Sequence, residues 1–122
     1  MLAVTSGVEG AELVINLTEA NDTALLQVEG GSYAVRQGSQ TVGTYSVAAV
    51  DAIRVLGDVA LEGQAVYVKP GGTIADPLTI NAGVESAVIH APIVTAGSVT
   101  IESPAITLSE NVSSSGSQTY SG

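Results

Sequence analysis

The chain has 122 residues, twelve acidic and three basic, for a formal net charge of -9. It contains no Cys, Phe or Trp, yet 45% of it is hydrophobic, nearly all Ala, Val, Leu and Ile. A disulfide scaffold and a thiolate metal centre are excluded, the scarcity of basic residues disfavours nucleic acid, and the apolar content argues against disorder.

Short segments of period-2 alternation run along the chain. Leu13–Leu17, Leu26–Val28, Tyr33–Val35, Ile53–Val55, Val66–Val68, Leu78–Ile80, Val99–Ile101 and Ile106–Leu108 each place apolar residues at i and i+2. That is the pattern of a half-buried strand. Between them lie turn-formers such as Glu29-Gly30-Gly31-Ser32, Lys69-Pro70-Gly71-Gly72-Thr73 and Asn81-Ala82-Gly83. There Gly supplies positive φ, Pro presets φ, and Asn bonds its own backbone. The stretch Ser46–Gly57 has Val47, Val50 and Ile53 near helical spacing, but Val55 continues the alternation and favours a strand over Ile53–Leu56. Gln118–Tyr120 reads either as the start of another strand or as part of a Ser/Gly-rich linker.

These elements predict an all-β protein. Two architectures compete. A β-sandwich commonly centres its core on a large aromatic residue between two sheets. A β-solenoid has a narrow interior that stacked Val, Ile, Leu and Ala fill without one. The composition favours the β-solenoid, a β-helix-like segment, with a small β-sandwich as the alternative. In that reading residues 1–57 form an irregular β section that can act as a cap. Residues 58–122 form a Thr/Ser-rich β-repeat section of the same continuous domain. Val99, Ile101, Ile106 and Leu108 are expected to point into one interior, and open strand ends would permit self-association.

The stretch Ile93–Val112, followed by Ser115-Gly116-Ser117-Gln118-Thr119-Tyr120-Ser121-Gly122, carries an apolar-Thr-apolar strand, a Leu-Ser-x-Asn-Val turn and a second Thr-bearing segment. It resembles the repeats of filamentous-haemagglutinin-type and autotransporter-like giant bacterial surface proteins. The likeness covers mainly residues 73–122. It implies a β-helical, non-catalytic, structural or adhesive segment of a secreted protein, extracellular or at the cell surface. Its partners would be other segments of the same large protein or surface ligands. The first basic residue is Arg36, so no positively charged segment precedes an apolar run, and if the protein is exported its signal is expected upstream. No apolar run is long enough to insert in a membrane.

Chemistry-bearing residues are sparse. His90 is the only histidine, so a multi-histidine metal site is excluded, and no Gly-x-Ser-x-Gly elbow accompanies it. The acids are scattered, and no catalytic residue is assigned; no cofactor is expected beyond a cation. The metal candidate is the turn Glu19-Ala20-Asn21-Asp22-Thr23, where Glu19, Asn21 and Asp22 could offer oxygens to Ca²⁺. The same residues also suit a plain Asx-turn. Tyr33, Tyr45, Tyr67 and Tyr120 would form a binding strip if they shared one outer face, and packing residues otherwise. The alternative function is accordingly a small β-sandwich binding module, Ca²⁺-dependent or not, for a carbohydrate or protein ligand.

Overall fold

Gly10-Ala11 and Gly30-Gly31 decide how the chain begins. In the computed structural model, which describes residues 4–38, 40–58, 60–81, 83–95, 97–109 and 112–120, these four residues have φ between 54° and 80°. Two consecutive left-handed residues make the tight turn whose twist matches a β-hairpin. Strand β1 (Val4–Glu9) therefore folds back antiparallel on β2 (Glu12–Leu17), with Glu9 opposite Glu12. Strand β3 (Thr23–Glu29) folds back on β4 (Ser32–Gln37), with Glu29 opposite Ser32. Strand β5 (Gln40–Ser46) adds a further antiparallel pair to β4, with a register shift between Val35 and Arg36.

From there the pairing becomes parallel. Val47–Ala49 makes one turn of 3-10 helix, and β6 (Ala52–Leu56) follows as the alternation at Val55 predicts. The remaining strands are β7 (Ala65–Val68), β8 (Leu78–Ile80), β9 (Ser86–Ile89), β10 (Ile93–Thr95), β11 (Val99–Ile101), β12 (Ala105–Leu108), β13 (Val112–Ser114) and β14 (Gln118–Tyr120). The first sheet has the order β1-β2-β6-β8-β11-β14 and the second β12-β9-β7-β3-β4-β5; β10 and β13 form a small third sheet, which Ile74 extends by a bridge to Ile93. Glycine permits the closest stacking between turns: a Cβ on Gly83 would strike the main chain of Gly57.

This architecture corrects the expected β-solenoid. Both large sheets are mixed and open, begin with antiparallel hairpins, and share one core, so the small β-sandwich describes the fold better. The physical reason lies in the paired left-handed residues, which reverse the chain where a solenoid would carry it onward into another coil. Parallel stacking persists where such turns are absent. There Ile93 pairs with Val112 and Val99 with Gln118, each 19 residues on.

Inward positions of successive strands line up across the core. On the first sheet Ile15, Val55, Ile80 and Ile101 form one row; on the second, Leu26, Val68 and Ile89 do so. All are buried, and one hydrophobic cluster runs from Val4 to Ile101. Tyr33, fully buried, supplies the large aromatic residue of the hairpin half. The interior expected of Val99, Ile101, Ile106 and Leu108 divides in two. Val99 and Ile101 are fully buried, Ile106 is half-buried, and Leu108 is 41% exposed because no strand covers β12 on its outer side among the described residues.

Candidate functional site

The turn between β2 and β3 holds Glu19, Asn21 and Asp22. Glu19 and Asn21 are exposed, whereas Asp22 is only 4% exposed. One Asp22 oxygen, Oδ2, accepts hydrogen bonds from the Thr18 and Glu19 amides at 3.0 and 2.8 Å. The other, Oδ1, accepts one from Gln37 Nε2 at 3.3 Å. The carboxylate thus ties its own turn together through amides three and four residues before it, the opposite direction to an Asx-turn, and anchors β4 to that turn. Asn21 takes φ of 63° and donates its amide to the Glu62 carbonyl.

Beside this turn, Gln64 is fully buried. Its Nε2 donates to the Leu17 and Glu19 carbonyls at 3.1 and 2.9 Å, and its Oε1 accepts from the Asp58 amide at 2.7 Å. A buried amide satisfied on both ends fixes the geometry around it. The turns that pass from the first sheet to the second stack here. Glu19, Asp58, Glu62, Glu85 and Glu102, scattered in sequence, fall on this one edge of the molecule. Among the described residues no group of three His, Cys, Asp or Glu is gathered closely enough to hold a metal ion.

The four tyrosines go to four different surroundings. Tyr33 is buried, and its hydroxyl donates to Asp76 Oδ2 at 2.5 Å. Tyr45 packs against the core and shares a 2.7 Å hydrogen bond with the Ser6 hydroxyl, joining the edge strands β5 and β1. Tyr120 stands opposite Ile101 at the free edge of β14 and is 38% exposed. Only Tyr67 lies on an open sheet face, so the four share no strip.

That face is the outer side of the second sheet. Strand alternation turns Ala24, Leu26, Val66, Val68, Ala87 and Ile89 inward, so the residues between them face out. Register places Arg36, Leu25, Tyr67, Val88 and Thr107 side by side on five neighbouring strands. His90, just past β9, lays its ring beside Tyr67, with centroids 5.0 Å apart and planes tilted by 46°. Arg36 Nη1 donates to Glu29 Oε1 at 2.6 Å, and Gln27 Nε2 donates to the Pro70 carbonyl at 2.6 Å. The hydrogen bond from Arg36 lowers the Glu29 carboxyl below its ordinary range. This half-buried apolar and aromatic row, rimmed by an amide and an ion pair, is the most built feature of the outer surface. Sequence reasoning named Tyr67 and His90 separately; only the parallel pairing of β7 with β9 brings them together.

No pocket opens among the described residues. Of the sites Asn16, Asn21 and Asn111, which open Asn-x-Ser/Thr tripeptides, Asn16 lies in β2, Asn21 in the turn, and Asn111 outside the described residues. The chain matches no protein-family model, no curated protein and no solved structure in comparison with each.

Proposed function

We propose that the protein is a non-catalytic β-sandwich binding module that takes a neutral carbohydrate chain across the outer face of its second sheet. The observation that supports this most is the row Leu25-Tyr67-Val88 with His90 against the Tyr67 ring. A saccharide presents apolar C–H faces and polar hydroxyls together. An aromatic ring with a polar tip suits the first, and the Gln27 amide and the Arg36–Glu29 pair suit the second. A sheet face without a pocket fits an extended chain better than a small molecule that must be enclosed. The net charge of -9 repels acidic polymers and so disfavours acidic saccharides. Attachment of this kind accords with the cell-surface setting that the surface-protein resemblance implies.

The test is affinity electrophoresis in gels containing neutral polysaccharides, with and without EDTA. The wild type should be retarded by at least one of them, and Tyr67→Ala should migrate freely while keeping its circular dichroism spectrum. Retardation that survives Tyr67→Ala, or a wild type that no neutral glycan slows, removes this reading. Loss of retardation in EDTA alone would bring the Glu19–Asp22 turn back as a cation site.

A further inference from the structure

The outer face of the second sheet carries two rows of side chains, and they differ in kind. Strands β3, β7, β9 and β12 pair in parallel without a register shift, so Leu25, Tyr67, Val88 and Thr107 stand in one line across them. Neighbouring strands lie ~4.8 Å apart, so this line spans roughly 14 Å. Two residues further along each strand runs a second line, Gln27, Lys69, His90 and Ser109. The amides of Lys69, His90 and Ser109 donate to the Leu26, Val68 and Ile89 carbonyls, which carries the parallel ladder past the strand ends. On the other flank of the first line stand Ala65, Ser86 and Ala105, whose side chains are short.

The first line is therefore a shelf with long polar side chains along one side only. Leu25, Tyr67 and Val88 are half-buried, and so are Gln27, Lys69 and His90. Several are already held in place: the His90 ring rests against Tyr67, and Gln27 is tied to the Pro70 carbonyl. Side chains fixed beforehand lose little freedom on binding. Among the described residues no ion pair holds the Lys69 ammonium, which carries three hydrogen-bond donors.

We propose that the glycan taken by this face is an extended β-1,4-linked glucan lying across the strands, with its ring faces on Leu25, Tyr67 and Val88 and one hydroxyl edge along Gln27, Lys69 and His90. The inference rests on the carbohydrate reading and narrows it to one linkage class. In a β-linked glucose ring every substituent is equatorial. Each ring face then carries only C–H bonds, and the hydroxyls project from the ring edges. An apolar line with donors along its side matches that arrangement. Equatorial bonds at both ends of the ring also keep the chain extended, so successive rings stay over one line of side chains. An α-1,4 linkage leaves the ring through an axial bond, and the chain coils away from such a line.

Affinity electrophoresis of the full chain in gels of hydroxyethylcellulose and of soluble starch separates the two linkages, because both polymers are built on glucose. Hydroxyethylcellulose should slow the wild type and starch should not. Leu25→Thr and Val88→Thr, one strand to either side of Tyr67, should each weaken retardation, since the chain crosses all three strands. Lys69→Met, which keeps the stem and removes the ammonium, should weaken it about two- to tenfold, the worth of one hydrogen bond. Circular dichroism should be unchanged in all three variants. Retardation by starch equal to or above that by hydroxyethylcellulose, lost in Tyr67→Ala, overturns the linkage assignment while the carbohydrate reading stands. So does a wild type that only a different neutral glycan slows. Full retardation of Leu25→Thr and Val88→Thr, or of Lys69→Met, overturns the placement of the chain, and a wild type that no neutral glycan slows removes both readings.

Discussion

The Tyr33 hydroxyl donates a 2.5 Å hydrogen bond to Asp76 Oδ2 and so ties β4 of the hairpin half to the segment between the Ile74 bridge and β8. The phenol ring itself is fully buried. Burial first, and the bond to Asp76 second, hold the Tyr33 proton far above the ordinary phenol range.

A sign follows for alkaline stability. Unfolded Tyr loses its proton near pH ~10, while folded Tyr33 keeps it. The stabilisation is therefore complete below pH ~10 and is lost as pH rises beyond it, because the unfolded state then binds fewer protons. Tyr33→Phe should cost about 1–2 kcal/mol near neutrality through the lost hydrogen bond. Its stability should also fall less steeply than that of the wild type above pH ~10. Urea titrations of both proteins across that range check each part.

Removing the Asp22 carboxylate strips partners from two turn amides and the Gln37 side chain. Asp22→Ala is expected to destabilise by about 1–2 kcal/mol, since hydrogen bonds to a charged acceptor at a half-buried turn are exchanged for water. Asp22→Asn, which keeps one acceptor oxygen, should lose less. Chemical denaturation ranks the three proteins, and equal midpoints for Asp22→Ala and wild type would refute the anchoring role.

Ser103, between β11 and β12, is fully buried and its Oγ lacks a hydrogen-bond partner. A buried hydroxyl without a partner is a cost that alanine lacks. Ser103→Ala should therefore raise stability, by about 1 kcal/mol. A fall in melting temperature would mean that the hydroxyl does bond in solution.

In the first hairpin, Ala11 adopts a left-handed φ of 66° beside Gly10. A Cβ in that region costs about 1–2 kcal/mol, whereas glycine accepts it freely. Ala11→Gly should stabilise the protein by about 0.5–1 kcal/mol after the added freedom of the unfolded chain is counted. Differential scanning calorimetry would register this as a higher melting temperature.

Much of the β content is legible in the chain because alternation is a local property. Leu13-Val14-Ile15 and Leu78-Thr79-Ile80 announce inward and outward sides wherever they end up. The strands that alternation misses, such as β1 and β5, are rich in Thr, Ser and Gly. They owe their pairing to neighbours rather than to their own apolar pattern. Gly30-Gly31 is visible as a turn in sequence, but Ala11 hides its left-handed conformation behind an ordinary side chain.

What the sequence determined by itself is an acidic, cysteine-free, all-β protein whose small branched side chains alternate along short strands. What only the tertiary structure decided is how those strands pair. Parallel and antiparallel neighbours need the same alternation, so neither the two mixed sheets nor the departure from a solenoid could be read from periodicity. The same holds for Tyr67 against His90 and for the acids brought to one edge. Each joins residues far apart in the chain, and their proximity depends on strand register, which the whole core fixes and no short segment encodes.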